Sequence, residues 1–316
     1  MPNLKDIRRR IKSVKSTQKI TQAMRMVAAA KVKRAENRIK NARPYLGTLN
    51  ALMSRVVCAL KANGDLAALE ADRVKNLSLL QSRPIKTVGL LILTSDRGLC
   101  GAYNANVLRQ ALQLKQLYES QALKVKLYAV GSKAVQAFSR LGVKPDDFLG
   151  RMSQMSAAPT VSDARQIVAT LSNAYQDSHI DQLVVLSTRF RSLISFKVEK
   201  FTLLPLDATQ LTQDTPTSES VPSETTLTPT SSELLLEPSP AMVLDNLVPM
   251  YLQQTVFGLL LDAAASELGA RMTAMANASN NARDMLNRLT LLYNKARQTS
   301  ITQEILEVVS GAEALR

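Results

Sequence analysis

The sequence has no tryptophan, one histidine and two cysteines, and aromatic residues fill only 4% of its 316 positions. Each shortage excludes something. Globular cores draw much of their buried area from aromatic rings. A chain so poor in them, yet 46% hydrophobic, points to long helices joined along narrow seams of Ala, Leu, Met and Val. Cys58 and Cys100 stand far apart in unlike contexts, which supports neither a disulfide framework nor a zinc site; each reads as a small buried residue. His179 lies in Asp177-Ser-His-Ile-Asp181 and has no partner, placeable from spacing, for metal or acid/base work. It reads as an exposed turn residue. No carboxylate pair, no nucleophile beside a base and no ligand cluster stands elsewhere, so the chain reads as non-catalytic, with no cofactor and no metal. No apolar run reaches the roughly 18–20 residues of a membrane span. The first residues lack an apolar signal core, from which a cytosolic compartment is expected.

Positive charge is abundant but confined. The net charge is +14, and residues 1–43 carry fourteen Lys and Arg against only Asp6 and Glu36. One segment therefore faces anionic groups or water. Basic helices bind nucleic acid by neutralising phosphates. Here Arg8, Arg9, Arg10, Lys12, Lys15, Lys19, Lys31, Lys33 and Arg34 spread around the helix, with no aromatic for base stacking. A basic coiled coil that binds nucleic acid remains an open alternative at this point.

The fold class is α/β: a long antiparallel coiled coil of the two terminal helices plus a central Rossmann-like βαβ domain. Residues 1–60 form the first coiled-coil helix. Its apolar positions run Ala28, Val32, Ala35, Ile39, Ala42, Leu46, Leu49, Met53, Val56, Leu60, alternating steps of four and three as a coiled-coil seam does. At ~1.5 Å per residue such a helix is about 80 Å long. Pro44 should kink or break it, because proline removes a backbone bond and crowds the preceding turn. Residues 241–316 form the second helix, with the seam Met272, Met275, Ser279, Ala282, Leu286, Leu289, Tyr293, Ala296, Ser300. Small residues on both seams let the axes approach closely.

Between them, 80–206 reads as the α/β domain. The apolar run Thr87–Thr94 is a strand buried on both faces, followed by a helix over 105–118, a strand over 124–130 and a helix over 132–141. Ser162 should cap a third helix ending near Tyr175, before strands over 181–187 and 195–204, the last at an edge. Strands alternating with helices imply parallel βαβ units. Residues 207–240 hold eight Thr, six Ser, five Pro, six acidic residues and no Lys or Arg, and read as a mobile loop with a foot. Thr94-Ser-Asp-Arg-Gly-Leu-Cys-Gly-Ala-Tyr-Asn104 follows a strand and opens a helix, where glycine-rich turns cradle phosphates. No Lys-Ser/Thr follows Gly101, however, and the spacing fails the dinucleotide fingerprint. Gly98 and Gly101 more simply permit a tight turn.

Four motifs resemble one family in the right order: Ile20-Thr-Gln-Ala-Met-Arg-Met-Val-Ala-Ala-Ala-Lys31, Ser95-Asp-Arg-Gly-Leu-Cys-Gly101, Tyr293-Asn-Lys-Ala-Arg-Gln298, and Ile301-Thr-Gln-Glu-Ile-Leu-Glu-Val-Val-Ser-Gly-Ala-Glu-Ala314. They look like the γ subunit of F-type ATP synthases, with a cyanobacterial leaning in the last. The resemblance implies a central rotary shaft that couples ion-driven rotation of a membrane ring to ATP synthesis in an alpha/beta hexamer. It implies contacts to the β subunit at Met24, Arg271, Arg297, Gln298, Thr302 and Glu304. It further implies an apolar sleeve around Ile301, Ile305 and Val309, and contact with the membrane c-subunit ring at Leu234, Leu236 and Glu237. The alpha, beta and epsilon subunits would be the other partners, with no nucleic acid. The complex would be peripheral on the cytoplasmic face of the cell membrane, or of the thylakoid membrane in a cyanobacterium. Plastid members carry a cysteine pair near 207–235. This chain has none there, so thiol regulation is not expected.

Overall fold

The computed structural model describes residues 4–62, 75–153, 158–192, 195–206, 237 and 239–314. Two long helices bracket the chain, α1 (Leu4–Ala62) and α5 (Pro240–Ala314). The chain divides into two compact units, residues 1–30 with 271–316, and residues 31–270. These units cut the chain differently from the segments read in the sequence. Each terminal helix gives one part to each unit.

In the unit of residues 31–270, five strands form one sheet in the order β3-β2-β1-β4-β5. They are β1 (Thr87–Leu93), β2 (Lys124–Val130), β3 (Phe148–Met152), β4 (Gln182–Phe190) and β5 (Phe196–Leu204). The first four are parallel and β5 runs antiparallel to β4. The helices α2 (Tyr103–Ser120), α3 (Ser132–Arg140) and α4 (Val161–Gln176) connect them. The unbroken apolar run of β1 follows from cover on both faces. Val88, Leu90 and Ile92 pack with Val107 and Ala111 of α2 and Ala134 and Phe138 of α3. Leu91 and Leu93 join the opposite core, with Ile167 and Leu171 of α4, Met53 and Val56 of α1, and Val248, Leu252 and Val256 of α5. The inner parts of the two terminal helices, with α4, are thus the second covering layer of the sheet.

An ion-paired staple closes the start of β1. Asp181 Oδ2 accepts the backbone N–H groups of Lys86 (3.0 Å) and Thr87 (2.9 Å). Arg83 Nε lies 2.9 Å from Asp181 Oδ1, off the axis of a good hydrogen bond. Arg83 also donates to the Tyr175 (2.6 Å) and Ile180 carbonyls and stacks on the Tyr175 ring. Burial works to raise the Asp181 pKa, but the two N–H donors and Arg83 outweigh it and hold the carboxyl below its ordinary value.

Of the kink or break expected at Pro44, the break does not occur: α1 runs through it, with Ala42 half-buried and Leu46 and Leu49 buried on the same register. The proline is exposed, so the backbone group it leaves without a helical partner is on the water side. Helix α4 is capped by Thr160, not Ser162; Asp163 N donates to Thr160 Oγ1 and Thr160 N donates to the Asp163 carboxylate, a reciprocal capping box. Strand β3 has no counterpart in the sequence reading. It is short, only partly buried, and centred on Gly150, where a Cβ would stand 2.4 Å from the Tyr128 ring.

Candidate functional site

The turn after β1 is filled by the chain itself. Thr94 Oγ1 donates to the Val130 carbonyl (2.9 Å) and accepts from Ala134 N (3.0 Å). Asp96 Oδ1 accepts from Ser132 N (2.8 Å) at the first turn of α3 and from Ser132 Oγ (3.1 Å). A helix N-terminus suits an anion, and at α3 the chain's own carboxylate takes that place. The Ser95 hydroxyl donates to the Arg97 carbonyl (2.7 Å), and Asn104 bonds both Ser95 and buried Cys100. Gly101 has φ +57° and Leu99 φ +64°, so the loop is a tight structural turn. His179 is exposed, as expected. Among the described residues no group of His, Cys, Asp and Glu is gathered to hold a metal.

The unit of residues 1–30 and 271–316 has a different character. Along α1 the residues that are not exposed are Leu4, Ile7, Ile11, Val14, Gln18, Thr21, Met24 and Ala28. The seam therefore continues towards the N-terminus beyond the stretch read from apolar residues, through polar Gln18 and Thr21. Along α5, from Asn280 to Ser300, only Ala282, Leu286, Leu289, Tyr293, Ala296 and Ser300 escape full exposure, and all belong to the expected seam. Residues 301–312 are exposed throughout. Over residues 4–30 of α1 and 280–300 of α5 the covered positions form one line on each helix, which leaves most of that surface to other molecules.

That outer surface is both basic and apolar. Every Lys and Arg from Lys5 to Arg25, and on into the other unit as far as Lys40, is exposed; Arg43 is the first that is not. Beside the charges stand Ile20, Met26 and Val27, each more than half exposed (57%, 61% and 56%). On α5, Leu291, Leu292, Leu306 and Val308 are exposed likewise. The sequence reading missed these residues; the available signal was apolar side chains lying off the seam.

The expected contact residues fall as follows. Arg297, Gln298, Ile301, Thr302, Glu304, Ile305 and Val309 are all exposed. At ~100° per residue they share one arc of about 160° beside the seam. Ser300 Oγ donates to Glu304 (3.4 Å) and Thr302 Oγ1 to the Gln298 carbonyl (2.9 Å). Met24 is half-buried on the seam itself, and Arg271 is half-buried and engaged within the chain. Glu237 is exposed, whereas Leu234 and Leu236 lie outside the described residues.

A family model described as ATP synthase matches residues 3–315. The chain is 43% identical to an ATP synthase gamma chain of Synechococcus and 45% identical to that of Thermosynechococcus vestitus, each over the whole of both proteins. The chain belongs to the ATP synthase gamma chain family. The fold agrees. A chain of the Euglena gracilis mitochondrial ATP synthase, in an OSCP/F1/c-ring structure, matches with TM-score 0.63 at 18% identity, covering 99% of this chain and 94% of that one. A chain of the Euglena rotor matches with TM-score 0.60 at 18% identity, over 94% and 98%. None of these likenesses supports the nucleic-acid alternative. In gamma-chain terms, the self-filled turn and the exposed arc of α5 take in three of the four motif regions read from the sequence.

Proposed function

We propose that this chain is the central rotary shaft of a membrane-associated F-type ATP synthase, and that it makes and breaks no bond itself. Residues 4–30 and 271–314 would stand inside a ring of three alpha and three beta subunits. The arc from Arg297 to Glu304 and the apolar Ile301, Ile305 and Val309 would meet the beta subunits and the surrounding sleeve. The epsilon subunit would hold to the sheet unit, and the segment around Leu234, Leu236 and Glu237 would meet the membrane c-subunit ring. Among the described residues no helix is long and apolar enough to cross a membrane. Attachment would therefore run through partner proteins on the cytoplasmic face of the cell or thylakoid membrane.

The observation that carries this reading, beside family membership, is that residues 4–30 and 280–300 cover only the seam of each helix. Their unlike faces offer each surrounding subunit a different contact. A turning shaft shifts a partner's equilibrium only through such differences in contact energy. The experiment is co-assembly of the full chain with cyanobacterial alpha and beta subunits, reading ATP hydrolysis and rotation. Hydrolysis-driven rotation is expected, and Arg297→Ala should lower turnover while assembly persists, because Arg297 is exposed in the chain alone. A chain that fails to associate with the hexamer would overturn the reading.

A further inference from the structure

Arg43 breaks the pattern of the basic segment. It is the one cation among the fourteen of residues 1–43 that is not exposed. Its Nε is enclosed and has no hydrogen-bond partner. Across from it on α5, the Asp262 Oδ1 is enclosed and equally unpartnered. Both line a cavity of about 40 Å³ with Ile39, Leu46, Thr255 and Leu259, room for about two or three waters. Arg43 and Ile39 also line an open groove with Glu36, Lys40, Phe190 and Arg191, which brings water and protons close to the cavity. At Gly258 the helices approach closely, since a Cβ there would stand 3.0 Å from Leu46.

An enclosed acid beside an unpaired guanidinium is costly in either ionisation state. Asp262 is neutral with an unused acceptor, or charged without an ion pair. The groups facing it come from three elements: Arg43 of α1, Arg189 of β4 and Glu199 of β5. Arg189 and Arg191 are drawn to Glu199 instead, at 3.8 and 3.5 Å. Burial raises the Asp262 pKa most, Arg43 and Arg189 lower it, and Glu199 raises it; the result is about 7.

We propose that Asp262 and Arg43 form a proton-controlled latch between α1 and α5 within the sheet unit. With Asp262 neutral, the helices close over the cavity. With Asp262 ionised, the buried unpaired carboxylate favours opening of the segment. The folded form holds a proton that the opened form releases. The latch is therefore tightest near the ordinary carboxyl value of 3.8, weakens as pH rises towards about 7, and is level above that. It is a property of the chain alone and stands whether or not the shaft reading does.

The test is hydrogen exchange of the full chain, corrected for intrinsic rates, followed in peptides covering 39–50 and 251–262. Between pH 5 and pH 7 the wild type should open about fifty-fold more readily. Asp262→Asn, which keeps the shape, should show no such rise. Arg43→Met removes a cation that favours ionisation and should carry the rise beyond pH 7. Equal pH profiles for wild type and Asp262→Asn would overturn the latch. An Arg43→Met profile that still levels off at pH 7 would overturn the part given to Arg43.

Discussion

Replacing Asp181 with alanine should unfasten the start of β1. The carboxylate accepts two backbone N–H groups, from Lys86 and Thr87, and is 9% exposed. Each N–H left without an acceptor loses about 1–3 kcal/mol, with the lower half apt here because the site lies near the surface. Arg83 loses its carboxylate but keeps the Tyr175 and Ile180 carbonyls, so its share is small. The expected loss is about 3 kcal/mol in all, or roughly 6–12 °C in melting temperature for a unit of this size. Asp181→Asn retains one acceptor oxygen and should lose about half as much. Six of the seven tyrosines, all but Tyr293, fall within residues 31–270, and there is no tryptophan. Near-ultraviolet circular dichroism therefore reports the sheet unit almost alone. The pH arm has a definite sign. Because the folded pKa lies below 3.8, the contribution is full above that value and lost as pH falls through the folded one, so wild type and Asp181→Asn should converge in acid. A melting temperature for Asp181→Ala within a degree of wild type, or an equal loss for Asn and Ala, would refute the reasoning.

Two further outcomes can be measured with the same chain. Gly131 has φ +90°, and a Cβ there would stand 2.3 Å from the Thr94 carbonyl oxygen, a backbone atom that cannot step aside. Gly131→Ala should therefore lose about 3 kcal/mol or more, seen as a lower melting temperature or loss of soluble chain. Ile305 is 57% exposed, so Ile305→Asp should leave the isolated chain within about 0.5 kcal/mol of wild type in urea unfolding. In the assembled complex the same variant should lower ATP turnover, and unchanged turnover would remove Ile305 from the contact surface.

The strongest signals in the sequence were periodic ones. The alternating steps from Ala28 to Val56 and from Ser279 to Ser300 foretold the covered lines of both helices, and Thr87–Thr94 foretold the central strand. The signal faded where polar residues carry the same geometry. Gln18 and Thr21 lie on the seam yet interrupt an apolar count, so the first part of α1 was left without a seam. Strand β3 offered five residues with no alternation and a glycine at its centre. Ser162 was a credible cap, but Thr160 has the acidic residue three positions on that closes a box. Long-range pairings were out of reach: Asp96 meets Ser132 across 36 positions, and nothing local links Arg43 to Asp262. The exposed arc of α5 came from family motifs, because exposure without periodicity has no signature in a single chain.

The Asp96 carboxylate has a consequence beyond steadying a turn. Parallel sheets of this kind tend to take ligands at the carboxyl ends of their strands, and here the N-terminus of α3 presents its free N–H groups at that end. The chain itself already occupies them: Asp96 takes the N–H of Ser132 with a negative charge, the Ser95 carbonyl that of Lys133, and Thr94 Oγ1 that of Ala134. An incoming anion meets repulsion as well as a filled space. Three successive residues of one turn therefore keep this binding crevice shut, and the loss of any one side chain leaves the other two acceptors in place.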